Sequence, residues 1–296
     1  MLITSFDSRM DDLFDPAEKL EAISVGHQVT EGIIWHPQRK CLIFSDMGAG
    51  KVYEWNPETF ETKVIKAPSN ISNGNFIDNE GRIVTCEHAT SSITRMEHDP
   101  RLVKTLASHY QGKELNSPND VIVDSKGNIW FSDPMYGRTS PRAGIKRESE
   151  LGFQGIYCLR TDGTLILACK DFENPNGLCM EPGEKTMLVN DTPRKHIRRF
   201  KVEDDCTLSG GEVICTVKGE GLGSPDGLKI DDRNNIYCTG PGGVHVFDKD
   251  GKQLGIINMP GWCRNFCFGG EDMSEMFFAT ETIYRLKTKT RGAKRG

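Results

Sequence analysis

Glu31, Asn73, Asn119, Asn176, Asp226 and Arg264 each open a six-residue phrase that recurs along the chain: EGIIWH, NGNFID, NDVIVD, NGLCME, DGLKID and RNFCFG. Five of these six first residues carry a side-chain oxygen, the ligand type that hard cations prefer. Taken alone, any such Asn or Asp reads as a cap on a turn or a strand start. Recurrence in one register of a repeat points instead to a shared site. Glu31, Asn119, Asn176 and Asp226 together offer two carboxylates and two amide oxygens. That set suits Ca²⁺, Mg²⁺ or Mn²⁺ and leaves coordination positions open to water, whereas a soft site needs Cys or His clusters. The sequence carries no G-x-S-x-G elbow, no phosphate-binding G-x-x-x-x-G-K-[ST] loop and no H-E-x-x-H zinc helix.

Side chains scattered over so much chain can meet only if the elements bearing them radiate from an axis. The phrases recur at intervals of roughly 40–50 residues, the period of a propeller blade. Each phrase runs into a hydrophobic strand, a turn and a second strand. In NDVIVDSKGNIWFSDP the strands fall at Val121–Val123 and Ile129–Ser132, around an Asp-x-x-Gly turn. The segment after Asp226 repeats that hairpin and adds a third strand at Val244–Phe247. The reading is all-β: a six-bladed β-propeller with four-stranded antiparallel blades around a central channel. Residues 22–292 form the ring, residues 1–21 an extension with a short helix at Asp11–Glu21, and residues 293–296 a flexible tail. A strand within Ala22–Val29 is expected to complete the blade that Phe277–Lys287 ends, which hides edges that invite aggregation.

The third repeat is the longest, and its excess lies in the polar segment YGRTSPRAGIKRESELGFQG, 136–155. It is expected to be dispensable for folding of its blade and to cover the channel as a lid. Tyr136 and Arg142 are its candidate substrate contacts. His88, in TCEHA, follows the second strand of blade two and is a further candidate. Trp262 is a candidate wall of the pocket, set against burial between blades.

A net charge of −5, with no clustered basic surface, argues against nucleic acid as a partner. No run approaches the ~20 apolar residues of a membrane span, and the N-terminal stretch lacks the pattern of a signal peptide. Of ten cysteines, Cys86, Cys158, Cys179, Cys238 and Cys267 lie inside strand-like runs, where cysteine serves as a small apolar residue. Free thiols, a cytoplasmic location and a monomer or homodimer without membrane partners are the expectations.

The phrases EGIIWHPQRKCLIFSD, LNSPNDVIVDSKGNIWFSDPMYG, NPNGLCMEPGEKTMLVNDT and SPDGLKIDDRNNIYCTGPGGVHVFD, in that order, resemble the SMP-30/gluconolactonase/luciferin-regenerating-enzyme family. CEHATSSITR and GKELNSPND are similar to its bacterial gluconolactonase-like branch. The resemblance implies one divalent metal in the channel, Ca²⁺ first, with Mg²⁺, Mn²⁺ or Zn²⁺ as alternatives. It places the metal carboxylate on Glu31 and a metal asparagine on Asn176. Asp226 becomes both ligand and general base, and Asn119 lies near metal and substrate. The implied activity opens a small sugar lactone to its aldonic acid. The alternatives are hydrolysis of other esters or phosphotriesters, and a non-catalytic, calcium-stabilised binding propeller.

Overall fold

The computed structural model describes residues 1–293; the last three residues of the expected tail lie outside the described residues. Six small antiparallel sheets stand around one axis as a six-bladed propeller. Blade 1 holds strands Thr30–His36, Cys41–Asp46, Lys51–Trp55 and Thr62–Lys66, from the axis outward. Blades 2 to 4 repeat this order from Ser72–Ile77, Val121–Val123 and Pro175–Met180. Blade 5 begins at Leu228–Ile230 and gains a fifth, outermost strand from the N-terminus, Ile3–Ser5. Blade 6 takes three strands from the C-terminal part of the chain and its outer one, Glu21–Ser24, from near the N-terminus. Glu21 and Ala22 pair with Arg285 and Tyr284, so the two ends of the chain close the ring through main-chain hydrogen bonds. The N-terminal helical turn is Ser8–Asp12, earlier than the span Asp11–Glu21 read from the sequence.

The hairpins form where the sequence places turn chemistry. Asp78, Asp124, Asp231 and Asp248 each accept the main-chain N–H of the residue four positions on, at 2.8, 2.8, 2.8 and 2.9 Å. Asp124 and Asp231 also hold buried aromatics, accepting from Trp130 Nε1 and from the Tyr237 hydroxyl. Each such Asp therefore locks a turn and ties it to the blade.

The core is six wedges, one between each pair of neighbouring blades. Val84, Val121, Phe131 and Tyr157 fill the wedge between blades 2 and 3. Trp130, Leu178, Met187 and Phe200 fill the next. Met10, Leu13 and Phe14 cover the wedge between blades 5 and 6, so the N-terminal segment packs on the ring. Burial at about 25 cal/mol per Å² of apolar surface makes these wedges the main source of stability. All ten cysteines are free, and nine are buried as small apolar residues.

Candidate active site and metal centre

The inner strands are irregular where they carry the first residue of a phrase. Register shifts separate Glu31 from Ile34, Ser72 from Asn75, and Pro175 from Leu178. A bulge re-aims the side chain beside it. The second residue of these phrases is Gly because the next blade's backbone comes too close for a Cβ. A Cβ on Gly32 would lie 1.9 Å from Asn73 O, and one on Gly177 would lie 2.1 Å from Asp226 O. Main-chain bonds stitch the phrases to one another: Gly74 N donates to Asn119 O at 2.8 Å and Gly227 N to Arg264 O at 2.9 Å. Asn265 Nδ2 completes the circle by donating to Glu31 Oε2 at 3.1 Å.

Glu31 is buried, and its carboxylate also accepts from Gly32 N at 3.1 Å. Burial pushes it up to about 7, against the hydrogen bonds from Asn265 and Gly32. Asp226 is pushed well above the usual carboxylate range, first by desolvation and then by the charges of Glu31 and Asp120. Asn176 and the Arg264 guanidinium pull it the other way. Glu31 raises Asp226, and Asp120 raises both, so the cluster has an unmet demand for positive charge. Asn176 is buried, and its Oδ1 has no hydrogen-bond partner. Its Nδ2 faces Thr192 Oγ1 at 3.4 Å. An orphaned buried amide oxygen beside the buried Glu31 and half-buried Asp226 carboxylates fits a hard cation. Among the described residues no three His, Cys, Asp or Glu side chains gather to hold a metal. The fit therefore rests on amide oxygens as much as on charge. Asn119 is buried as well; its main chain is bonded to Ser132 O and Gly74 N, and its side chain has no hydrogen bond among the described residues.

The loops around this mouth hold the remaining candidates. Tyr136 opens a short helix, Tyr136–Thr139, and its hydroxyl has no partner. Burial raises that hydroxyl above its usual range, as do Asp226 and Asp191; Thr192 and Asn176 oppose the shift. Tyr136 thus stands within the field of Asp226. His88 is fully buried beneath the insertion, with Nδ1 2.6 Å from Ala143 O and Nε2 3.2 Å from Asn73 Nδ2. Arg142 is exposed and has no ion pair among the described residues, so the structure does not carry it to the carboxylates. Trp262 is 38 % exposed rather than buried between blades, with the Arg264 guanidinium 5.2 Å from its ring. Arg264 also reaches Glu281 at 3.3 Å.

The insertion is not a detachable loop. Arg138 is 1 % exposed and donates to Asn116 O, Leu115 O and Glu148 O, with Glu114 2.8 Å away. Arg147 meets the same Glu114 at 3.2 Å and bonds His88 O. The segment is built into blades 2 and 3, against the expectation that its blade folds without it.

A layer of polar side chains lies beneath the carboxylates. Asp120 approaches Lys229 Nζ at 3.7 Å, and Lys229 approaches Asn265 Oδ1 at 3.5 Å. Below it a cavity of about 520 Å³ opens on the opposite face, walled by Trp35, Ile122, Met180 and Phe268. That cavity does not contain Glu31, Asn176 or Asp226, which belong to the first mouth. Sequence reasoning found the first residues of the phrases but gave Asn73 no role, although its position was the available signal. Lys229 and Asn265 were also passed over, because they follow those first residues rather than lead.

The fold and the site define a six-bladed propeller with an oxygen-lined carboxylate centre at one channel mouth. The chain belongs to the family described as SMP-30/Gluconolactonase/LRE-like region, which matches residues 29–282. It is 30 % identical over 312 residues to a gluconolactonase of Zymomonas mobilis, covering 98 % of this chain and 87 % of that one. A gluconolactonase of Xanthomonas campestris superposes with a TM-score of 0.91 at 30 % identity, covering 97 % of this chain and 95 % of that one. A pentonolactonase of Haloferax volcanii is 25 % identical over 271 residues, 84 % of this chain and 80 % of that one.

Proposed function

We propose that the protein is a metal-dependent lactone hydrolase that opens a sugar lactone to its aldonic acid. The observation that carries this reading is the carboxylate pair Glu31 and Asp226, both raised first by desolvation, with the unpartnered Asn176 Oδ1 beside Asp226. The similarity to two gluconolactonases over nearly the whole chain supports the substrate class.

Glu31, Asn176 and Asp226 would hold the cation, with Asn119 at or near its shell. When bound, such an ion polarises a carbonyl and stabilises the developing oxyanion. Asp226 is the general base. It takes a proton from water as the oxygen attacks the lactone carbonyl carbon. The ring C–O bond then breaks, and the proton passes to the departing ring oxygen. The product is the open hydroxy acid. Asp226 can do this only as a carboxylate, and positive charge nearby favours that form. Arg264 contributes such charge. Tyr136 and the segment around it wall the mouth, which limits bulk water and orients the ring.

The test is acid release from a panel of aldonolactones, with chelator and with added Ca²⁺, Mg²⁺, Mn²⁺ or Zn²⁺. Opening that chelator abolishes and one of these ions restores is the expected result. No acid release from any lactone with any ion would remove the reading.

A further inference from the structure

Asn73 opens the second phrase, yet the proposed metal centre makes no use of it. Its side chain is 3 % exposed, and its Oδ1 has no hydrogen-bond partner. An unmet buried acceptor is costly, so native proteins retain one chiefly where something else will satisfy it.

The orientation of this amide follows from two contacts. Ala143 O is a carbonyl and can only accept, so the His88 nitrogen 2.6 Å from it, Nδ1, carries the hydrogen and donates. Burial holds the His88 ring down to about 4, so it is neutral and its Nε2 bears a lone pair. That lone pair accepts from Asn73 Nδ2 at 3.2 Å. A flipped amide would set oxygen against the lone pair. Asn73 Oδ1 is therefore held away from His88. Its main chain abuts Gly32, the residue after Glu31, and it holds the same place in its phrase as Asn119, Asn176 and Asp226. On the blade 3 side the Tyr136 hydroxyl is a further unpartnered polar atom of this mouth.

We infer that Asn73 is a specificity-determining residue whose Oδ1 accepts a hydrogen bond from a hydroxyl group of the substrate, in an orientation fixed by His88 and Ala143. The inference rests on the lactone-hydrolase reading and deepens it: the lactone must carry ring hydroxyls. A site that hydrogen-bonds a substrate hydroxyl rejects an analogue lacking it far more strongly than an apolar pocket rejects an extra group. His88 is a positioning residue that acts through Asn73. It also links the 136–155 segment to specificity, since Ala143 sets its tautomer.

The probes are glucono-δ-lactone and δ-valerolactone, which share a ring size and differ in hydroxyls. In Asn73→Leu the kcat/KM preference for the hydroxylated lactone should fall roughly tenfold or more, mainly through KM. Divalent-ion affinity, measured by calorimetry, should stay within about threefold of the wild type. In the Asn73→Leu background, His88→Leu should change the lactone preference no further, because the two act as one unit. If Asn73→Leu does not melt cooperatively, Asn73→Ala carries the same readings. An unchanged preference, or equal loss on both lactones, overturns the inference. A large loss of ion affinity also overturns it, because the Asn73 oxygen would then serve a metal-bound water. Additive effects of the two substitutions overturn the positioning role of His88. If the wild type opens neither lactone, the hydrolase reading itself fails; if it discriminates and the variants discriminate equally well, only this inference does.

Discussion

The chemistry of the site depends on how few groups surround each carboxylate. Asp226 is raised because burial strips its water and Glu31 adds a like charge, so its basicity is created by the site and is not intrinsic to Asp. Asp226→Asn keeps an oxygen ligand and removes the base, so lactone opening should fall by at least ~10²-fold, the lower range for losing general-base catalysis. Near-normal turnover at saturating ion would take Asp226 out of that role. His88 yields a pH prediction at the same scale. Its buried ring is held at about 4 against an ordinary 6.5, first by desolvation and further by Arg147. The unfolded chain therefore binds more protons between those values. The neutral ring contributes stability above pH 6.5 that is lost as pH falls towards 4, about 3 kcal/mol at most at 1.36 kcal/mol per unit. Asp133, buried and raised to about 7, works in the opposite direction, so the difference between two proteins is the cleaner measure. Urea midpoints at pH 7.5 and 4.5 should lie closer together in His88→Gln than in the wild type. An equal acid shift in both would show that His88 is not the group responsible.

At the scale of elements, the phrases and turns were legible in the sequence because each is local. The hairpin of Val121–Val123 and Ile129–Asp133 could be read from alternation and an Asp-x-x-Gly turn, and the structure adds only one residue to it. The candidates Glu31, Asn119, Asn176 and Asp226 were legible for the same reason, since repetition marks them without any knowledge of contacts. The 136–155 segment was misread because its anchors are distant and concealed. Arg138 looks like a surface residue in a polar run, yet its partners Asn116 O, Leu115 O and Glu114 lie more than twenty positions earlier in the chain. The insertion should therefore behave as core. Arg138→Met removes the donor to Leu115 O and Glu148 O and takes the buried guanidinium from Glu114, and breaking such a buried pair costs on the order of 3–5 kcal/mol. Replacement of exposed Arg142 by Met should cost less than about 0.5 kcal/mol. Equal melting temperatures for the two variants would return the segment to the status of a surface loop. The role of Asn73 was hidden for a related reason, because it depends on a His88–Ala143 contact that spans 55 residues.

The whole molecule is a ring closed without a covalent bond, and this shapes both its stability and its response to ligands. The strand Glu21–Ser24 is the outer edge of blade 6, so removal of residues 1–24 would bare Ile283–Lys287 and uncover the Phe266–Phe278 wedge. Such a truncation should aggregate. Removal of residues 1–6 alone, which takes only the fifth strand from blade 5, should leave a folded ring. A cation at the mouth would be a second closure, because its proposed ligands come from blades 1, 4 and 5. Opening the ring would then require the ion to leave. An ion that binds only the folded state stabilises by about 2.7 kcal/mol at one hundred times its Kd. For a chain of this size that corresponds to roughly 5 °C or more in Tm. Metal-stripped protein at pH 7.5 should therefore melt higher when Ca²⁺, Mg²⁺, Mn²⁺ or Zn²⁺ is restored. Glu31→Gln removes one charge and one ligand from blade 1 while leaving the hydrogen-bonding shape nearly intact. Its shift at the same ion concentration should shrink towards zero. The comparison separates a specific centre from general screening of the −5 charge, because screening would raise both proteins alike. An equal rise in wild type and Glu31→Gln would place the ion elsewhere on the ring and leave the carboxylate pair without its proposed purpose.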